Sequence, residues 1–363
     1  MSDFKHNDVI VLLGAGASVE AGIPHSTEMI REIEESIRKG DRGWSKFESL
    51  YHYVRSAIYY AEGIHGIFNE DVSYNIEKLV NILNEISKRN QHALYPFVGA
   101  WNPALVEVAG TEFSLVEQFR QAILEILIKE WLTVTNYEMK ASYFEGLLDL
   151  QKSLKHPLRV FTLNYDLCLE KCAKRSQRIL ELGFDECRKW DWRLFDHNPE
   201  DPKDIYLYKL HGSTDWTYEN DHLTYYDDIG LINQHAIIFG TYQKLEYRDP
   251  FLFLTYEFRR WTLESRIIVV IGYGFADEHI NMIIRQALAD KPDRTLVAVG
   301  PSSGISETSD RVKEIATAVD YSNTDQIKVS LSNASKFMSD YNHKDKLKSF
   351  LPPEDLSLFE DID

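Results

Sequence analysis

Asn164, Asp166 and His211 are the residues of this chain best placed by type and spacing to do chemistry. Asn164 and Asp166 close the stretch FTLNYD (residues 161–166), and His211 sits within YKLHGS (residues 208–213). Each follows an apolar run that reads as a strand entering its carboxyl-terminal loop, where open α/β sheets bind ligands. A carboxamide can hold a water or a sugar hydroxyl, and an imidazole titrating near neutrality can take a proton from it. Asp166 precedes an apolar helical stretch, so capping that helix competes with ligand binding there; Asn164 suits a cap less well. Among twelve histidines, His211 stands apart by its strand end and by Gly212, which permits close approach.

Two glycine loops accompany these residues. VIVLLGAGASVEAG (residues 9–22) reads as a buried parallel strand, a glycine loop and then a helix starting near Ser26, whose hydroxyl is the expected N-cap after Pro24. Such a loop turns backbone N–H groups toward a phosphate. The run Gly14, Ala15, Gly16, Ala17, Ser18 departs from the dinucleotide fingerprint, because Val19 stands where a third glycine is expected. No acidic residue ends a second strand at the usual distance either, which disfavours a hydride-transferring enzyme. Taken alone, the run reads equally well as a tight turn that needs glycine. Further on, VVIGYGF (residues 269–275) opens a second strand into a loop, and Gly272 and Gly274 would let that loop approach a ligand from the side opposite the first. Asp277 and Glu278 read most simply as first-turn residues that complement a helix dipole.

Strand-like runs recur at residues 158–163, 205–210, 236–239, 267–271, 296–299 and 327–331, with helical stretches at 250–263 and 278–288 between them. Strands alternating with helices predict a Rossmann-like, doubly wound parallel sheet of the α/β class. Residues 41–153 instead show helical periodicity at 47–60, 76–86, 115–131 and 144–150, and are expected to form an all-helical insertion. The expected organisation is therefore a nucleotide-binding domain of residues 1–40 and 154–340, the insertion, and an acidic tail of residues 341–363. Residues 188–233, rich in Trp, Tyr, Asp and Asn, hold one strand and otherwise predict irregular structure or a small antiparallel element.

Composition bounds the function. With 44% hydrophobic residues and no low-complexity tract, the chain can bury a sizeable core. A formal net charge of −17 argues against direct nucleic-acid binding, which needs a basic surface. Cys168, Cys172 and Cys187 are too few for a four-cysteine zinc site, and are expected to be small buried residues of a reducing compartment. No apolar run reaches membrane-spanning length and the first residues lack a signal peptide, so a soluble cytoplasmic protein is expected.

Taken in order, GAGAS with the following AGIP (residues 21–24), TLNYD, KLHGS and IGYGFADEHIN resemble the sirtuin family of NAD-consuming enzymes. The likeness covers about residues 8–35 and 155–300. It implies a glycine-isoleucine-proline loop containing Gly22, a nicotinamide and ribose pocket lined by Asn164 and Asp166, and a catalytic histidine at His211. The zinc module of protein-deacylating sirtuins is missing, and His25 and Ser26 stand where those enzymes have a Phe-Arg pair. The chain is instead similar to zinc-free anti-phage defence effectors of the superfamily. That resemblance implies hydrolysis of NAD+ to nicotinamide and ADP-ribose, self-association, and pairing with a HerA-like hexameric ATPase. Backbone amides of Ala15, Gly16 and Ala17 and the Ser18 hydroxyl would then bind the pyrophosphate, with Gly272 and Gly274 shaping the adenosine side. A non-catalytic NAD or ADP-ribose sensor is the alternative; a deacylase or ADP-ribosyltransferase is disfavoured.

Overall fold

VIVLL and IIVVI are five-residue apolar runs rich in β-branched side chains, and both become fully buried strands, β1 (Val9–Leu13) and β8 (Ile267–Ile271). Such continuous burial is what a parallel sheet covered on both faces demands. A computed structural model describes residues 4–68, 74–88, 103–196, 202–240, 249–301, 307–339 and 343–351. Most of the expected acidic tail lies outside the described residues.

The chain divides into two compact units. The first comprises Met1–Gly22, Val134–Ile237 and Leu245–Asp363. Its main sheet also contains β2 (Leu158–Thr162), β3 (Leu180–Glu181), β4 (Ile205–Lys209), β9 (Thr295–Gly300) and β10 (Ile327–Leu331). The strand order is β10-β9-β8-β1-β2-β4-β3, and every pairing is parallel. From β1 the chain builds one flank through β2, β3 and β4, then returns to build the other through β8, β9 and β10. The sheet therefore reverses its winding between β1 and β8, the place where open α/β sheets leave a crevice at their carboxyl ends. Aromatic side chains fill the core beneath: Tyr208 is sandwiched between Phe161 at 4.5 Å and Phe195 at 4.4 Å between ring centres.

A second sheet of three antiparallel strands follows directly from β4 and contains β5 (Gly212–Glu219), β6 (His222–Tyr225) and β7 (His235–Ile237). The strand expected at 236–239 thus belongs here and not to the parallel sheet, because β7 pairs with β5 from Gly212 to Thr217. β3 escaped the sequence reading because two residues are too few to show periodicity.

The second unit, Ile23–Thr133 with Ile238–Lys244, is helical among its described residues. It contains α1 (Ser26–Lys39), α2 (Glu48–Ile64), α3 (Ile76–Ser87), α4 (Pro103–Ala109) and α5 (Ser114–Ile126). Phe47 stacks on Phe119 at 4.7 Å, and Trp44 packs edge-on against both. Of the tyrosines on α2, Tyr51 is buried and donates to Glu34, whereas Tyr60 is exposed. The cap of α1 is His25 and not Ser26: its ring accepts from the Glu28 N–H while the Glu28 carboxylate accepts from the His25 N–H, a reciprocal capping box.

Candidate functional site

The four sequence motifs fall at the carboxyl ends of four neighbouring strands, in the order β8, β1, β2, β4. Residues as far apart as Gly14 and Gly274 are thereby gathered at one edge of the sheet, at its switch in winding.

After β1 the chain makes two short 3₁₀ turns, Ala15–Ala17 and Val19–Ala21, the second ended by Gly22 at φ +96°. Gly14 N–H donates to the Ile271 carbonyl and Gly16 N–H to that of Gly272, while Ala17 and Ser18 donate back to Gly14 and Ala15. Of the three amides expected to meet a pyrophosphate, those of Gly16 and Ala17 are thus engaged in holding the loop. The glycines here are needed for the approach of backbone to backbone. A Cβ on Gly14 would lie 2.7 Å from the Gly272 carbonyl oxygen, and one on Gly272, at φ +67°, would lie 2.1 Å from the Ala17 nitrogen. The two glycine loops therefore pack on each other and do not face each other across a gap. Gly274 is different, with open space where a Cβ would project.

Asn164 binds this loop from the β2 side: its Nδ2 donates to the Gly14 carbonyl at 3.0 Å and to the buried Ser18 hydroxyl at 3.1 Å. Its own N–H donates to Thr162 Oγ1 at 3.0 Å, and the Tyr143 hydroxyl donates to the Ala17 carbonyl at 2.7 Å. Asp166 bonds locally, accepting from the Cys168 N–H at 2.9 Å just ahead of the helix α7 (Cys168–Arg175), whose N-cap is Leu167. Counting α6 (Glu145–Leu154) before it, α7 is the crossover between β2 and β3.

Lys209, the last residue of β4, is completely buried and was missed by the sequence reading. Its ammonium donates to the Asp166 carbonyl at 2.5 Å and to Glu170 at 2.6 Å. Burial opposes that charge, yet Glu170, Asp215 and Asp166 outweigh burial and hold Lys209 above its ordinary value. The consequence is mechanical: Lys209 fastens the Asn164–Asp166 loop to β4, immediately before His211. A lysine in a strand of otherwise buried residues was the available signal.

His211 links the two sheets. Gly212 beside it has φ +87°, and a Cβ there would lie 2.0 Å from the Ala236 carbonyl oxygen, so the close approach that this glycine permits is to β7. The His211 ring lies 6.5 Å from that of Tyr165, whose carbonyl accepts from the Thr214 N–H at 3.0 Å. Its Nε2 lies 3.3 Å from Oδ2 of Asp277, a pair with 6% and 5% of the side chains exposed. Asp277 is the cap of α9 (Glu278–Asp290), the helix after α8 (Phe251–Glu264), and its place opposite His211 was invisible in a sequence where the two are 66 positions apart.

A family model described as a SIR2-like domain matches residues 158–327. Residues 158–327 are similar to a SIR2-like domain. This SIR2-like match takes in Asn164, Asp166, His211, Gly272 and Gly274, and runs from the first residue of β2 to the first of β10. Among curated proteins none matches the chain. Similar solved structures include a mutant Sir2 homologue in complex with 2′-O-acetyl ADP-ribose, 13% identical, covering 94% of this chain and 93% of that one with a TM-score of 0.43. Another is a Sir2 homologue in complex with NAD, at 14% identity, 93% and 90% coverage and a TM-score of 0.41. Among the described residues, no group of three or more His, Cys, Asp or Glu side chains is placed to hold a metal ion, and no helix is long and apolar enough to cross a membrane.

Proposed function

We propose that the protein hydrolyses NAD+ to nicotinamide and ADP-ribose. The observation that carries this reading is the convergence of Asn164, His211 and both glycine loops on the carboxyl ends of adjacent strands at the winding switch, where a dinucleotide binds. The match to a SIR2-like domain, with the sirtuin resemblance, supports NAD as the dinucleotide.

In the reaction the bond between nicotinamide and ribose C1′ breaks, water adds at C1′, and one proton is released. The pyridinium of NAD is already a good leaving group, so the protein's task is to place the water beneath an oxocarbenium-like centre and remove its proton. His211 acts as the general base. The Asn164 NH2 group is occupied by Gly14 and Ser18, so orienting the water or the ribose hydroxyls falls to its carboxamide oxygen. Asp166 shapes the nicotinamide side through the loop it ties. Gly274, with open space around it, serves the adenosine side. A hydrolase that depletes NAD must be gated, and self-association or a HerA-like ATPase subunit would supply the gate in an anti-phage effector.

The test is to incubate the pure protein with NAD+, alone and with an ATPase partner, and follow nicotinamide and ADP-ribose by chromatography. His211→Ala is expected to lower turnover by roughly 10²- to 10⁴-fold in a protein that still folds. Unchanged turnover in that variant removes His211 from the mechanism. Binding of NAD+ or ADP-ribose without turnover in either condition overturns the hydrolase in favour of a sensor.

A further inference from the structure

β4 and β8, whose loops carry His211 and Asp277, are three strand steps apart with β2 and β1 between them. At ~4.8 Å per step their ends are about 14 Å apart. The 3.3 Å approach of His211 Nε2 to Asp277 Oδ2 therefore requires the segments leaving both strands to converge over the ends of β1 and β2.

The loop that delivers Asp277 is fixed on several sides. Asp277 Oδ1 accepts from the N–H groups of His279 at 3.0 Å and Ile280 at 3.4 Å. The Tyr273 hydroxyl accepts from the Asp277 N–H at 3.0 Å and donates to Asn281 Oδ1 at 2.9 Å, while Asn281 Nδ2 holds the Phe275 carbonyl at 2.8 Å. The helix terminus is a place that favours negative charge. One carboxylate oxygen thus anchors the residue to the helix, and the other lies 3.3 Å from the imidazole Nε2. A carboxylate against one ring nitrogen keeps the proton on that nitrogen and the lone pair on the other.

We propose that Asp277 is the positioning residue of His211, selecting the tautomer that carries its proton on Nε2 and presents Nδ1 as the base toward the attacking water. This rests on the NAD-hydrolysing reading of the site. Its bland competitor is that Asp277 only caps α9.

Asp277→Asn separates the two roles, since Asn is as good an N-cap as Asp. The amide oxygen keeps the bonds to His279 and Ile280, while an NH2 group replaces the oxygen that faced the imidazole. A donor at that point makes Nε2 the acceptor and moves the proton to Nδ1. In the full chain, with its activating partner if one is needed, kcat is expected to fall roughly 10²- to 10⁴-fold. The KM for NAD+ and the melting temperature should stay close to wild type. ¹⁵N NMR of histidine-labelled protein should show His211 protonated on Nε2 in the wild type and on Nδ1 in the variant. Wild-type kcat in Asp277→Asn, or an unchanged tautomer, overturns the proposal. If the wild type has no turnover, the NAD-hydrolysing reading fails and the tautomer comparison still decides the role of Asp277. Should Asp277→Asn not fold, Asp277→Ser, which caps through its hydroxyl and lacks the carboxylate, carries the same kcat-against-KM comparison.

Discussion

Gly272 illustrates how a residue's type follows from its neighbours. Its φ of +67° alone disfavours any L side chain, and a Cβ would overlap the backbone of Gly16 and Ala17. Gly272→Ala is therefore expected to cost at least ~1 kcal/mol from backbone strain, plus the displacement of the loop that Asn164 holds. Thermal unfolding and NAD+ binding should both weaken. A variant with wild-type stability would show that the two loops separate easily. The sequence marked Gly272 as special because a glycine followed a buried strand; it could not say that the partner was the other glycine loop. Asn164 was similarly legible as a polar group at a strand end, whereas its two bonds to Gly14 and Ser18 depend on residues 146 and 150 positions away.

At the scale of elements, α7 places Cys168 and Cys172 one turn apart on its buried face. Burial pushes both thiols up, Cys172 to about 12, and so keeps them in the unreactive protonated form. Cys187 differs from the sequence expectation by being exposed, because it lies in a turn and not on a packed helix. Iodoacetamide at pH 8 is expected to modify Cys187 alone in the native protein and all three thiols in denaturant, as read by intact mass. Rapid native modification of Cys168 would show that α7 opens. The strands with the strongest apolar runs, β1 and β8, were readable as such, since a fully buried parallel strand leaves no polar residue to confuse the pattern. β7 was misassigned to the main sheet because a short apolar run does not encode which strand it pairs with.

For the whole molecule, the pH response has one clear component in His235. Burial lowers its pKa below the ordinary 6.5, although Nδ1 contacts the Thr214 carbonyl at 2.6 Å and Asp215 lies nearby, both of which raise it. The unfolded chain thus takes up a proton at this position before the folded chain does. Its contribution to stability is present above pH ~6.5 and is lost as pH falls through the folded value. Urea midpoints measured from pH 8 down to 5 should fall, and His235→Gln should flatten that slope; an equal slope in the variant would exclude His235 as its source. The sequence by itself determined the α/β class, the helical periodicity of stretches within residues 41–153 and the presence of catalysis-capable groups at strand ends, because periodicity, buried runs and turn residues are local properties of the chain. Only the tertiary structure decided that those strand ends are neighbours, that Gly16 and Gly272 need glycine for each other, that Lys209 fastens the Asn164 loop and that Asp277 meets His211. These are contacts between distant segments, and strand order, which brings them within reach, is set by the packing of the whole sheet.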